Sequence, residues 1–83
     1  MKFKTYILYS KIIDKYYTGS TSVEMEERLR RHNTNHKGFT GKVNDWKIIF
    51  CKEFSDKKDS LDLEKKIKKR GAKRFLDNKN IME

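Results

Sequence analysis

Proline is absent from the 83-residue chain, and cysteine occurs once, at Cys51. A single cysteine cannot form an internal disulfide, and with only two histidines it does not supply a zinc site of the usual ligand spacing. Long hydrophobic runs are missing too: no stretch approaches the ~20 apolar residues that cross a bilayer. Lys11 and Asp14 interrupt the apolar core that a signal peptide would need. We therefore expect a cytoplasmic protein without a membrane partner, with Cys51 as a buried thiol in an apolar run.

Positive charge is what the chain has in excess. Lysine and arginine total 21 against 12 acidic residues, which gives a net charge of +9 and a pI of about 9.7. The length predicts one domain spanning residues 1–83, in which the ten aromatic residues can build a compact core. A small domain this basic usually binds a polyanion, and nucleic acid is the first candidate. An anionic membrane surface and a simply solvated charged surface are the alternatives that the composition leaves open.

The N-terminal quarter of the chain has the pattern of a β-hairpin. Residues 2–10 alternate in character and are rich in aromatic and β-branched side chains, which predicts a strand. Asp14 and Lys15 predict a short turn, and residues 16–19 a second strand.

The next segment predicts a helix and a loop. Thr21 and Glu24 have the spacing of a capping box, in which a hydroxyl and a carboxylate three residues apart satisfy backbone N–H groups at a helix start. A helix is therefore expected over residues 22–33. Residues 34–44 contain two glycines and two asparagines, which favours a loop.

A third strand is predicted over residues 46–54. Its apolar residues alternate, so we expect one face of this strand to carry Trp46, Ile48, Phe50 and Phe54.

Helical patterns follow to the end of the chain. Ser55 or Asp56 can cap a helix that runs to about Arg70, and Gly71 is a natural stop. A last short helix is expected over residues 72–78. The predicted fold class is therefore α/β, with a small three-stranded antiparallel sheet flanked by helices in the order ββαβαα.

Several short motifs lie on these predicted elements in a particular order. They are Lys4-Thr5-Tyr6, Tyr17-Thr18-Gly19, Arg28 with His32, the strand that begins at Trp46, and Glu64. Each motif alone is weak, but the ordered set resembles a GIY-YIG nuclease domain. The resemblance covers about residues 2–78 and is closest to short stand-alone members, which are similar to the N-terminal nuclease domain of the bacterial excinuclease C subunit.

The chain departs from that family pattern at three points. Lys4-Thr5 stands where the family name has Gly-Ile, and Ser20 stands where some members have a lysine. The late asparagine of the family has two candidates, Asn78 and Asn80.

The resemblance implies a catalytic role for five residues: Tyr6, Tyr17, Arg28, His32 and Glu64. Glu64 would bind Mg²⁺ or Mn²⁺, an ion that a single carboxylate can hold when substrate phosphate completes its ligand shell. Tyr6 would take a proton from the attacking water, Tyr17 would orient water or phosphate, and Arg28 would contact the phosphate. His32 would assist proton transfer or bind phosphate. The structural alternatives are an ion pair between Glu64 and Lys68, and tyrosines that serve only as half-buried aromatics.

DNA is the expected partner, and a further protein could supply specificity. The candidate substrate-binding residues are Arg31, His36, Lys42, Lys65, Lys68, Lys69 and Asn78. The function that the resemblance implies is a metal-dependent endonuclease that hydrolyses DNA phosphodiester bonds in repair or recombination. The alternatives are a non-catalytic nucleic-acid-binding module of the same fold and an RNA-processing nuclease.

Overall fold

The computed structural model describes residues 2–34 and 43–81, with side chains up to residue 77. Its elements, in chain order, are β1 (Phe3–Ser10), β2 (Lys15–Thr21), α1 (Met25–His32), β3 (Lys47–Phe54), α2 (Lys57–Arg70) and α3 (Ala72–Ile81). The predicted order ββαβαα and the α/β class are confirmed. None of the helices in the described ranges is long and apolar enough to cross a membrane.

The three strands form one antiparallel sheet in the order β2-β1-β3. The β1–β2 hairpin turns through residues 11–14, where Asp14 has a positive φ of 51°. Asp45 holds this turn from outside, because its carboxylate accepts hydrogen bonds from the Ser10 hydroxyl (2.5 Å) and the Ile12 backbone N–H (2.9 Å).

The central strand β1 packs on both of its faces, and the register assigns its side chains to them. Tyr6 and Leu8 project to one face, where they form the core with Trp46, and α1 covers this core with Met25 and Leu29. Thr5 projects to the opposite face and binds α2, because its hydroxyl lies 2.6 Å from the Ser60 carbonyl oxygen and 2.9 Å from the Ser60 hydroxyl. The sheet therefore separates α1 from α2, and the two helices pack on opposite faces without sharing a core.

Strand β3 departs from the predicted pattern because its register shifts between Ile7 and Leu8. Phe50 lies opposite Ile7 and Ile48 lies opposite Leu8, so Ile49 is an extra residue. Since consecutive residues of β1 face opposite ways, Ile48 and Phe50 also face opposite ways. The predicted common face is therefore wrong.

The position of β3 at the edge of the sheet also corrects the expectation for Cys51. The strand is largely exposed along its length, and Cys51 is an exposed thiol rather than a buried one. An apolar run at a sheet edge has one flank in solvent, and the sequence alone does not reveal which strand lies at the edge.

The helix starts differ from the predicted ones. Helix α1 begins at Met25, and its N-cap residue Glu24 makes no side-chain capping hydrogen bond. The Thr21 hydroxyl instead accepts a hydrogen bond from the Val23 N–H, so the capping-box prediction is wrong. At the other end of the chain, α2 stops before Gly71 as predicted, with a φ of 96° at this residue, and α3 extends to Ile81.

Asn33 ties the end of α1 to the start of β3. Its side-chain amide donates to the Trp46 carbonyl oxygen (3.2 Å), and its side-chain oxygen accepts from the Trp46 N–H (2.9 Å). The amide thus satisfies both backbone groups of a residue that is only 2% exposed. Trp46 is a core residue, so this pair of hydrogen bonds fixes the core against α1.

Replacing Asn33 by alanine should therefore lower the free energy of unfolding by about 1–3 kcal/mol, because two buried backbone groups lose their partners. Urea unfolding followed by tryptophan fluorescence measures this loss. Asn44→Ala is the matched control, since Asn44 is exposed and lies two residues before Trp46. Equal losses in the two variants would contradict a stabilising role for the Asn33 amide.

Candidate active site

The Tyr6 hydroxyl is the centre of a polar cluster on the α1 side of the sheet. It accepts a hydrogen bond from Nε of Arg28 at 3.1 Å and forms a second one with Nε2 of His32 at 2.9 Å. Tyr6 is fully buried and His32 is 6% exposed. Arg28 and His32 are four residues apart on α1, so both side chains leave the same face of the helix. Their spacing therefore aims a guanidinium and an imidazole at one phenol oxygen.

Gly19 makes room for that phenol. Tyr6 on β1 lies directly opposite Gly19 on β2, and a Cβ atom at Gly19 would lie 2.7 Å from the Tyr6 hydroxyl and 2.9 Å from its Cζ. It would also lie 3.1 Å from the Tyr17 ring. Real Cβ atoms essentially never lie under 3.0 Å from a neighbour, so the close approach of the Tyr6 ring requires a glycine here. The glycine of the Tyr-Thr-Gly motif thus has a packing reason.

Tyr17 completes a group of three rings. Its centroid lies 6.4 Å from that of Tyr6 and 4.9 Å from that of His32, and the Tyr6 and His32 centroids are 5.8 Å apart. These separations are typical of tilted aromatic pairs in contact. The three rings and the Arg28 side chain therefore form one contiguous cluster.

Burial governs the protonation of Tyr6. It raises the pKa of the phenol above 10.0 because the charged phenolate would lose its hydration. The hydrogen bond and charge of Arg28 act in the opposite direction but do not compensate, and the negative charge of Glu64 adds to the increase. Tyr6 is therefore a neutral phenol at physiological pH. Arg28 stays charged, since its hydrogen bond to Tyr6 raises the pKa of the guanidinium.

Glu64 approaches from α2, on the other side of the sheet. Its Oε1 accepts a hydrogen bond from the Ser20 hydroxyl (2.7 Å), and its Oε2 lies 2.8 Å from the ammonium of Lys68. Burial raises the pKa of this carboxyl, but the Lys68 and Ser20 hydrogen bonds and the Lys68 charge outweigh it, so that the pKa lies below its ordinary value. Glu64 is therefore a carboxylate across the physiological range.

Glu64 and the ring cluster are close enough to interact through charge. The carboxylate raises the pKa of Tyr6, and the Lys68 ammonium, whose own pKa is raised by its hydrogen bond to Glu64, also interacts with Tyr17. Edge strand β2 makes this possible, because Gly19 faces Tyr6 and the next residue, Ser20, holds Glu64.

The donor set around Glu64 suits a hard divalent cation only if the substrate contributes to it. Within residues 2–34 and 43–81, no group of three or more histidine, cysteine, aspartate or glutamate side chains could hold a metal ion. An ionised, half-buried carboxylate fits Mg²⁺, which commonly binds one or two carboxylates, several waters and substrate phosphate. The ion pair between Glu64 and Lys68, which was the structural alternative to a metal role, is present and occupies Oε2 of this carboxylate.

The predicted DNA-binding residues are more dispersed. Arg31 is exposed and lies 3.4 Å from Glu27, and Lys65 and Lys69 are exposed on α2. Asn78 belongs to α3, but its side chain lies outside the described part of the chain, as does that of Asn80. His36 and Lys42 both fall within residues 35–42 and lie outside the described residues.

Ser20 is a site residue whose contact the sequence reasoning missed. In the sequence it stands out only because it replaces a lysine, yet its hydroxyl donates a hydrogen bond to Glu64. Its place directly after Tyr17-Thr18-Gly19 is the one signal that could have suggested a role.

The comparisons with known proteins agree with this architecture. A family model described as the GIY-YIG catalytic domain matches residues 2–79, and the chain therefore belongs to the GIY-YIG family. This is a family of endonucleases, so nuclease activity on nucleic acid is the activity that membership indicates. No curated protein and no solved structure gives a significant match. The resemblance to the excinuclease C module stays a prediction that is consistent with the family match.

Gly19→Ala should displace the Tyr6 and Tyr17 rings and lower the free energy of unfolding by about 1–3 kcal/mol, as overpacking in a close-packed core does. Thermal or urea unfolding measures the loss, and the aromatic ¹H NMR shifts of the two tyrosines report the displacement. Ser22→Ala, an exposed position three residues away, should change neither quantity. A tolerated alanine with unmoved tyrosine shifts would show that the two rings do not need the glycine.

The Glu64 carboxyl should titrate below the ordinary glutamate value of about 4.3. Because this pKa is lowered by folding, the stabilisation that it contributes is present above the unfolded pKa and is lost as the pH falls through the folded pKa. Side-chain ¹³C NMR over an acid titration measures the pKa directly. Lys68→Met should raise it, whereas Lys65→Met, one residue after Glu64 on an exposed face, should leave it nearly unchanged. An equally raised Glu64 pKa in both variants would show that the overall positive charge of α2, rather than the contact with Lys68, lowers this pKa.

Proposed function

We propose that the chain is a metal-dependent endonuclease that hydrolyses DNA phosphodiester bonds. The observation that carries the proposal is the convergence of Arg28 and His32 on the Tyr6 hydroxyl, with the Glu64 carboxylate within electrostatic reach. Phosphodiester hydrolysis requires an attacking water, removal of its proton and compensation of the negative charge that builds on the phosphate. This cluster offers a group for each requirement.

Glu64 is the residue that would hold Mg²⁺ or Mn²⁺. A divalent ion bound there would neutralise charge on the phosphate and lower the pKa of a bound water. Lys68 keeps the carboxylate ionised through its 2.8 Å contact, and Ser20 fixes the orientation of the carboxylate through Oε1. Positioning of this kind matters because the hydrogen-bond partners of a metal ligand set its orientation.

Tyr6 and His32 support a proton relay rather than a free phenolate base. Since burial keeps Tyr6 neutral, its oxygen can accept a proton from the attacking water only as its own proton leaves. His32 Nε2, 2.9 Å from that oxygen, is a suitable acceptor when the imidazole is neutral and carries its proton on Nδ1. In this arrangement the phenol transmits the proton and the imidazole holds it.

Arg28 and Tyr17 would act on the phosphate. The Arg28 guanidinium uses Nε for Tyr6, which leaves its terminal NH₂ groups for a bidentate phosphate contact. Tyr17 packs against the Tyr6 and His32 rings, and its hydroxyl would orient the water or the phosphate. The exposed lysines of α2, Lys65 and Lys69 among them, would follow the DNA backbone through salt-dependent contacts with little sequence information.

The physiological substrate that we propose is branched, damaged or otherwise distorted DNA in repair or recombination. This part of the proposal rests on analogy with the family. A small domain offers little surface for reading base sequence, so DNA shape or a protein partner would supply the specificity.

Plasmid nicking with Mg²⁺ or Mn²⁺ tests the proposal. Glu64→Gln should lower the rate about 10³-fold or more, because the contribution of a bound metal to the transition state is several kcal/mol. Tyr6→Phe and His32→Gln should each lower it by about 10²–10⁴-fold if both take part in proton transfer. The effects of these two should not multiply in the double variant, since the relay needs both groups.

Matched controls separate catalysis from folding and charge. Asp62→Asn removes an exposed acid from the same helix as Glu64, and Tyr16→Phe removes a phenol hydroxyl from the same strand as Tyr17. Both should nick at the wild-type rate. Salt-sensitive DNA binding without metal-dependent nicking by the wild type would instead identify a non-catalytic binding module, and faster cleavage of a matched RNA would identify an RNA nuclease.

A further inference from the structure

A second polar cleft shares walls with the candidate active site. It has a volume of about 290 Å³ and lies where the end of β2 meets the first turn of α2. Three consecutive hydroxyl residues, Ser20, Thr21 and Ser22, line it together with the cationic side chains of Arg28 and Lys57. Hydroxyl groups and cations are the side chains that bind phosphate oxygens.

The two cations of this cleft have no acidic partner among the described residues. In the part of the chain that the structure describes, neither Arg28 nor Lys57 forms an ion pair with a carboxylate. Another cleft that Arg28 lines, of about 400 Å³, differs in part, because its remaining arginines, Arg30 and Arg31, share the Glu27 carboxylate at 2.6 Å and 3.4 Å. In the cleft at Lys57 both cations are without a carboxylate partner among the described residues, so both are available to an anion.

Two residues connect this cleft to the catalytic cluster. Arg28 donates a hydrogen bond to Tyr6, and Ser20 donates one to Glu64, and both also line the cleft. An anion in the cleft would thus lie next to a phosphate held between Arg28 and Glu64. Along each strand of DNA, successive phosphates follow one another at a rise of about 3.4 Å along the helix axis. A strand bound at the active site therefore places a second phosphate next to the reacting one, where a neighbouring anion site can bind it.

We propose that this cleft binds the backbone phosphate next to the one that is hydrolysed. Lys57 supplies the charge specific to this subsite, Arg28 is shared with the reacting phosphate, and the Ser22 hydroxyl donates a hydrogen bond. The proposal rests on the proposed nuclease function, because the hydrolysed bond defines which phosphate is its neighbour. It assigns to Lys57 a part in fixing the position of the cut strand.

Binding measurements test the subsite without cleavage. Lys57→Gln and Lys58→Gln remove the same charge from consecutive exposed positions in the first turn of α2, and only Lys57 lines the cleft. Fluorescence anisotropy of a labelled DNA duplex, measured from about 50 to 200 mM salt, gives the slope of log K against log salt. Lys57→Gln should reduce that slope by about 0.9, the value for one lost phosphate contact, and Lys58→Gln should leave it unchanged. Equal slopes in the two variants would overturn the proposal.

A series of duplexes identifies the phosphate. Each carries one neutral methylphosphonate in place of one phosphate near the cleavage position. The wild type should lose affinity at a position adjacent to the cut, and Lys57→Gln should be insensitive to neutralisation at that position alone. If the affinity lost through Lys57→Gln and the affinity lost through each methylphosphonate add at every position, the assignment is overturned.

Inorganic phosphate separates a strand subsite from a free-anion site. It should shift the amide NMR signals of Ser22 and Lys57 only weakly, whereas the duplex should shift both strongly. Equally strong shifts with inorganic phosphate would show a free-anion site and overturn the strand assignment. If DNA is bound with the expected slopes but never cut, the cleft is a backbone-phosphate site of a non-catalytic binding module, and both the nuclease proposal and the assignment next to a cut fail. If DNA is cut and the slopes of the two variants are equal, the nuclease proposal stands and the subsite proposal fails.

Discussion

The buried hydroxyl of Tyr6 is the interaction on which the rest of this site depends. Burying a phenol in the core of so small a domain is unfavourable unless its hydroxyl is hydrogen-bonded, and here Arg28 and His32 both meet that need. The same contacts fix the orientation of α1 on the sheet and exclude any side chain at Gly19. Stability and the candidate chemistry therefore use the same three hydrogen-bonding groups, and a change to any of them affects both.

The sheet edge gives the site its second half. Strand β2 is an outer strand, and its successive residues face opposite sides of the sheet at this edge. Gly19 lies opposite Tyr6 on the α1 side, and Ser20 contacts Glu64 on the α2 side. A helix on each side can thus contribute to one site although the two helices do not share a core. An inner strand would be covered by its neighbours and would leave no room for a substrate there.

Much of this could be predicted from the sequence, and what could not has identifiable causes. The alternation before Ser10 predicted β1, and the glycine after Arg70 predicted the end of α2, because both are local signals. The ring cluster around Tyr6 was predicted only through the family resemblance, since nothing local places His32 against a residue 26 positions earlier. The side-chain faces of β3 were missed because a one-residue register shift opposite Ile7 and Leu8 is set by strand pairing. The Ser20 contact was missed for a similar reason, because it depends on where α2 docks.

The Asn33 amide has a consequence for how this fold could be diversified. It holds the end of α1 against the residue that precedes β3, on either side of residues 34–45. Lengthening a loop whose ends are already fixed costs little, about 0.6 kcal/mol of closure entropy for each doubling of its length. A further domain could therefore be inserted between Asn33 and Trp46 while the rings of Tyr6, Tyr17 and His32 keep their arrangement. A small domain of this family would in this way acquire a further nucleic-acid-recognition module without any change to its core.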